Sequence, residues 1–294
     1  MKLKSLIKNL TVTIFIFVLM FVFCACNGAT EESLIETSAE ENVITAEKWL
    51  LSKMSRNDGT WTEEYHYDEK GLLAYTETET VFGDSKTYYT YDEDGRTTVI
   101  KSVADSSTTT QTFAYDERGN LTEHKTEIKD IQAGNSEAYI LYTYDADGRI
   151  LTESYSNGAV STYTYNPDGN YTMEKVRADG VLIISESYGA DGLALTWKSS
   201  NGSGKYEYSF DEKGNILGFC NISDNGETEE IIECIYDEEG NCISEKKTYS
   251  EEFMNSHLVY EYDSYGNKLR TYKVQDGTKN LVEECEYTLF TVTE

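Results

Sequence analysis

The chain has 294 residues, among them 24 Tyr, 21 Gly, 3 His and a single Pro, a skew that belongs to repetition rather than to an ordinary enzyme. Asp and Glu number 53 against 25 Lys and Arg, a net charge of −28, so the surface repels phosphate backbones and nucleic-acid binding is excluded. An aromatic content of 13% excludes a wholly disordered chain.

Lys2, Lys4 and Lys8 precede an apolar run from Leu10 to Phe23 that is broken only by Thr11 and Thr13. This is the charged and apolar order of an export signal over residues 1–25, and the run is shorter than the ~20 residues that a membrane-spanning helix needs. Phe23-Cys24-Ala25-Cys26 resembles the lipobox of bacterial lipoproteins, in which a small residue precedes the cysteine that becomes lipidated. Cys26 follows Ala25 and fits that role, whereas Cys24 follows bulky Phe23. The resemblance implies an extracytoplasmic protein held to the cell membrane through lipidated Cys26. Residues 26–42 then form an acidic tether: Glu31, Glu32, Glu36, Glu40 and Glu41 alternate with Ser, Thr and Ala. Extended, the tether reaches about 50 Å at roughly 3.3 Å per residue.

From residue 43 to 294 one motif recurs. Tyr-Asp-x-x-Gly appears at Tyr67, Tyr91, Tyr115, Tyr144, Tyr236 and Tyr262, with degenerate copies at Tyr165, Tyr188 and Phe210. A period in the twenties means stacked supersecondary units. Each copy reads as a hairpin: Asp accepts a backbone hydrogen bond ahead of it, two polar residues follow, and Gly supplies the left-handed bulge residue. In that register Tyr67 faces Leu73, Tyr115 faces Leu121, Tyr144 faces Ile150, Tyr165 faces Tyr171 and Tyr236 faces Cys242. Tyr65, Tyr89, Phe113, Tyr142, Tyr163, Tyr208 and Tyr260 fall on the same face, and His66, Thr90, Thr143 and Glu261 on the other. The copy at Tyr188 reads differently, as a two-residue Asp191-Gly192 turn that pairs Tyr188 with Leu195. Turn clusters such as Asn57-Asp58-Gly59, Asn157-Gly158, Asn201-Gly202 and Asp276-Gly277 close the opposite edge. The expectation is an all-β antiparallel up-and-down meander of about twenty strands between Trp49 and Thr293. A flat sheet would leave its tyrosine face wet, so it should curl into an open roll or cylinder.

These units, and Phe113-Ala-Tyr-Asp-Glu-Arg-Gly-Asn-Leu121 above all, resemble the YD repeats of the RHS family. The resemblance implies a spiral of antiparallel strands. Large members carry a proline-containing core motif and a toxin module beyond the repeats. Here the lone proline, Pro167, sits inside a turn, and the chain is expected to consist of repeats alone.

No nucleophile elbow, phosphate loop or zinc-protease motif occurs, and no catalytic residue, cofactor or metal ligand is expected. His66, His124 and His257 lie on separate hairpins, with His66 and His124 assigned to the polar face. Ser203 reads as part of a hairpin tip with no nearby base. Asp92-Glu-Asp94-Gly95 and Asp145-Ala-Asp147-Gly148 look like calcium loops, yet Thr97 and Ile150 stand where further carboxylates would be needed. Cys220, Cys234, Cys242 and Cys285 are expected as inward-facing thiols. The function that follows is a non-catalytic binding or spacer module, toward a glycan or a surface protein. A small shell for a bound polypeptide, and an extracytoplasmic enzyme with carboxylates inside the roll, are the rivals; a filled interior favours the spacer and a hollow one the shell.

Overall fold

The computed structural model describes residues 45–249 and 254–293; the export signal, Cys26 and the tether lie outside the described residues. Alternating aromatic and polar positions build twenty strands. They run β1 (Thr45–Arg56), β2 (Trp61–Tyr67), β3 (Leu73–Thr80), β4 (Ser85–Tyr91), β5 (Thr97–Ala104), β6 (Ser107–Tyr115), β7 (Leu121–Asp130), β8 (Ser136–Tyr144), β9 (Ile150–Tyr155) and β10 (Val160–Tyr165). The second half comprises β11 (Tyr171–Val176), β12 (Leu182–Tyr188), β13 (Ala194–Ser199), β14 (Gly202–Phe210), β15 (Ile216–Ser223), β16 (Thr228–Tyr236), β17 (Cys242–Tyr249), β18 (Ser256–Tyr262), β19 (Lys268–Gln275) and β20 (Thr278–Thr293). Every strand pairs antiparallel with its sequence neighbours, and β1 pairs with β20 as well as with β2. The meander is therefore a closed cylinder without a free edge, the arrangement that removes unpaired strand backbones.

The seam is made by two long strands. β20 gives its first half to β19 and its second half to β1, where Thr45 faces Thr293 and Arg56 faces Glu283. Val292 is buried at the seam, and a Cβ built on Gly71 would lie 2.6 Å from its Cγ1. Tyr67 and Phe290 rings stand 6.1 Å apart, and Trp49 meets Tyr265 at 5.8 Å. Thus β1 and β20 are clasped between the first and the last of the repeat turns.

The repeat turns follow the expected chemistry. At Asp116 the backbone amide donates to the Asn120 carbonyl (2.9 Å), the Gly119 amide donates to the Asp116 carbonyl (3.0 Å), and Gly119 has φ of +86°. Asp116 Oδ1 accepts from the Arg118 and Asn120 amides at 2.9 and 2.8 Å. Its Oδ2 accepts from Asn120 Nδ2 at 2.9 Å. The Asn after the glycine thus clamps the Asp from the side chain, and Arg96 and Arg149 do so at Asp92 and Asp145. The copy at Tyr188 corrects the expected two-residue turn. Gly189 takes the Asp position, its amide donating to the Leu193 carbonyl (2.9 Å), so Tyr188 pairs with Ala194 and Leu195 is exposed.

The expected pairs Tyr67–Leu73, Tyr115–Leu121, Tyr144–Ile150, Tyr165–Tyr171 and Tyr236–Cys242 are all present. Beyond them, most repeats slip by one residue: a bulge between Ala114 and Tyr115 makes Phe113 face His124, and one between Ser209 and Phe210 makes Tyr208 face Phe219. An extra residue in one strand turns every side chain past it to the opposite face. This corrects two placements. His124 lies on the tyrosine face, stacked on Phe113 at 4.7 Å, and Cys220 lies on the outer face, paired with Glu207 and Ile231.

Candidate binding surface

Period-two alternation brings the aromatic side chains to the inside of the cylinder in tiers. The first tier, at the mouth formed by the repeat turns, is a hydrogen-bonded ladder. Each motif tyrosine donates its hydroxyl to the carbonyl two residues past the glycine of the preceding repeat: Tyr91 to Leu73 (2.9 Å), Tyr115 to Thr97 (2.8 Å), Tyr144 to Leu121 (2.6 Å), Tyr165 to Ile150 (3.0 Å), Tyr236 to Ile216 (3.1 Å) and Tyr262 to Cys242 (2.9 Å). Tyr67, which has no repeat before it, donates in the same way to the Leu51 carbonyl on β1 at 2.8 Å. The ladder ties repeat to repeat by side chain as well as by strand pairing, and it explains why the motif carries a phenol where Phe would pack equally well. It breaks only where the motif does. Tyr188 turns its hydroxyl to Glu186 (2.7 Å) and stacks on Tyr171 at 4.6 Å, and Phe210 has no hydroxyl to give.

Deeper in the cylinder, carboxylates share the wall with phenols. Tyr65 donates to Glu63 at 2.6 Å, and Tyr155 and Tyr163 both donate to Glu153, at 2.5 and 3.2 Å. Lys175 lies 3.5 Å over the Tyr155 ring. Burial, reinforced by the neighbouring carboxylates, pushes the phenols of Tyr65, Tyr163 and Tyr188 far above the usual tyrosine range, and that of Tyr155 up to about 12. Burial also holds the Lys175 ammonium below its ordinary value. The sequence reading allowed for carboxylates inside the roll without naming any, although Glu63 and Glu186 stand two residues before an inward tyrosine and the same alternation places them inside.

The wall is not covered by a packed core. Among the described residues the buried apolar side chains are Ala159, Cys285 and Val292, and the inward tyrosines remain partly accessible. An inner face that water reaches in this way is not closed off by a facing wall packed against it. Its lining offers aromatic faces, phenol donors and carboxylate acceptors, the groups with which proteins hold sugar rings and extended peptides.

The other sequence-derived candidates fall elsewhere. Asp92 and Asp94 are ion-paired to Arg96 at 2.7 and 2.9 Å, and Asp145 and Asp147 to Arg149 at 2.7 and 3.3 Å. The turn amides occupy the remaining Asp oxygens aimed inward, so these loops are turns in their own right. Ser203 sits on β14 rather than at a tip, and its hydroxyl meets the Asp224 carboxylate. None of the four described cysteines is in a disulfide. Cys234 and Cys242 face the interior, where burial pushes the Cys242 thiol up to about 11. His257 bonds Ser244 at 3.0 Å, and His66 lies on the outer face, stacked on Tyr75 at 4.2 Å.

Comparison with known proteins gives one family: the Teneurin YD-shell model matches residues 99–182. Among solved structures, the TcdB2-TccC3-Cdc42 complex is similar at 16% identity over 79% of this chain, with a TM-score of 0.36. The Photorhabdus luminescens Tc holotoxin pore is similar at 15% identity over 79%, with a TM-score of 0.37. This chain spans only 13% and 15% of those two chains. A porin-like protein from Bacteroides uniformis aligns over 76% of this chain and 100% of its own, at 12% identity and a TM-score of 0.27. No curated protein sequence matches.

Proposed function

We propose, from the YD-repeat turns and the Teneurin YD-shell match over residues 99–182, that this chain is an exported lipoprotein of the RHS/YD-repeat kind, anchored to the membrane through Cys26, whose cylinder is a non-catalytic binding module. The ligand, a glycan or a segment of a surface protein, is held against the inner wall. The observation that carries this reading is the wall itself: tyrosines and carboxylates line an interior that no core fills. A solvated aromatic surface is retained where something is to lie on it, since a spacer would be more stable with the same side chains packed together. Closure of β1 on β20, together with the same unfilled interior, favours a second reading, in which the cylinder is a small shell that shelters a polypeptide threaded through it.

The test is a glycan array and a pulldown of surface proteins with the fragment from Val43 onward, beside Glu153→Gln on the wall and Tyr88→Ala on the outer face. Ligand capture lost in Glu153→Gln and kept in Tyr88→Ala supports the wall. Equal capture by both variants places the ligand elsewhere, and no capture by any form leaves a spacer. For the anchor, Cys26→Ala releases the protein from the membrane or blocks its processing; unchanged membrane retention overturns the lipid assignment.

A further inference from the structure

On the outer face beside the seam, three potential ligands converge from two strands. Glu64 and His66 are two apart on β2 and share a face, and Glu77 on β3 lies directly opposite Glu64. Two carboxylates set face to face across a strand pair repel each other, and a sheet ordinarily avoids that pairing. The ligand atoms of Glu64, His66 and Glu77 nonetheless all lie within 4.8 Å of one another.

His66 adds an independent indication. Its Nε2 is sealed from water and has no hydrogen-bond partner, an arrangement that carries a desolvation cost unless something fills the valence. Glu77 Oε2 stands 3.6 Å from it, too long for a hydrogen bond. It is close to the edge of a metal tetrahedron, about 3.4 Å when a nitrogen and an oxygen each sit roughly 2.1 Å from a shared zinc ion. The imidazole plane is fixed by its stack on Tyr75, 16° from parallel. The carboxylates are held from behind. Lys86 Nζ binds Glu77 Oε1 at 2.9 Å and lies 3.6 Å over the Tyr75 ring, and Lys53 Nζ binds Glu64 Oε1 at 3.1 Å. Each lysine therefore takes one oxygen of its partner and leaves the second oxygen to the cluster, the arrangement by which outer partners orient metal ligands.

We propose that Glu64, His66 and Glu77 form a divalent transition-metal site, with zinc as the best-fitting ion. One imidazole nitrogen and two carboxylate oxygens are a zinc-type donor set with room for water at the fourth position. Calcium and magnesium want oxygen donors alone, so the imidazole selects against them. The bound ion would join β2 to β3 next to the seam and relieve the Glu64–Glu77 repulsion. The two lysines offset the carboxylate charge, which makes this a moderate-affinity site.

The experiment is a titration of the purified full chain, freed of metal with a chelator, with Zn2+ followed by calorimetry, and with Co2+ followed by visible absorption. Wild type is compared with His66→Ala and Glu77→Gln, the fold of each variant being checked by circular dichroism. The expected result is one Zn2+ equivalent that either substitution weakens at least tenfold, a Co2+ spectrum that loses its d–d bands in both variants, and no response to Ca2+. Zn2+ affinity and Co2+ bands unchanged in folded His66→Ala would overturn the site and assign binding to the thiols. Absence of binding by wild type would overturn it outright. Glu77→Gln preserves the shape of the side chain, so the test stands even where His66→Ala disturbs the stack on Tyr75.

Discussion

Removing one hydroxyl from the ladder isolates what the motif tyrosine contributes beyond packing. Tyr115→Phe deletes the bond to the Thr97 carbonyl and leaves the ring in place. A hydrogen bond of this kind is worth about 0.5–1.5 kcal/mol net. Seven such bonds encircle the mouth, so the ladder as a whole amounts to roughly 3–10 kcal/mol, comparable with the total stability of an ordinary domain. Tyr115→Phe is therefore expected to lower the urea midpoint by the equivalent of about 1 kcal/mol with the slope unchanged. Tyr139→Phe on the exposed outer face should lie within about 0.5 kcal/mol of wild type. The reverse change is the sharper test. Phe210→Tyr places a hydroxyl where the repeat would aim it at the Ala194 carbonyl, and it should stabilise by about 0.5–1 kcal/mol. A Tyr115→Phe variant as stable as wild type, together with a Phe210→Tyr variant that gains nothing, would refute the ladder as a source of stability.

Two further outcomes are expected. Trp197 lies across from Gly204 and donates to Asn221 Oδ1 at 2.8 Å, while a Cβ on Gly204 would stand 2.5 Å from the Ile222 carbonyl and 2.8 Å from the Trp197 Nε1. Gly204→Ala should cost about 1–3 kcal/mol by overpacking and shift the tryptophan fluorescence; an unchanged emission spectrum and urea midpoint would contradict the close approach. The second concerns alkali. Burial raises the phenols of Tyr67, Tyr155, Tyr236 and Tyr249 to about 12, above their value near 10 in an unfolded chain. Below pH 10 the phenols are neutral in both states and stability is unaffected by them. Between pH 10 and 12 the unfolded chain ionises first, so stability falls as pH rises through that window. Urea midpoints at pH 9 and 11, read beside the phenolate absorbance, check this; a phenolate band that titrates fully near pH 10 with the fold intact would contradict it.

Strand number, turn chemistry and the tyrosine-bearing face were legible in the sequence because they are local. Tyr-Asp-x-x-Gly specifies its own turn, since the Asp carboxylate and the left-handed Gly act within five residues, and alternation then carries the aromatic side chains to one face. What lay beyond the turn was not legible. A single bulged residue past Leu121 or Ile216 reverses the facing of everything after it, so His124 and Cys220 were assigned to the wrong sides, and at Tyr188 the glycine standing in for Asp concealed an ordinary repeat turn. The bulge depends on how a strand twists against its partner, which no spacing records.

Closure and the clusters belong to tertiary structure altogether. Nothing near Thr45 announces that it will pair with Thr293, because the seam is decided by the accumulated curvature of nineteen preceding pairings and by Val292 settling against Gly71. Glu64 and His66 are close in the pattern and each looks ordinary there. Only cross-strand register brings Glu77 opposite them, for the same reason that the ladder escaped notice: a strand fixes which side a group faces, and its neighbour fixes what the group meets.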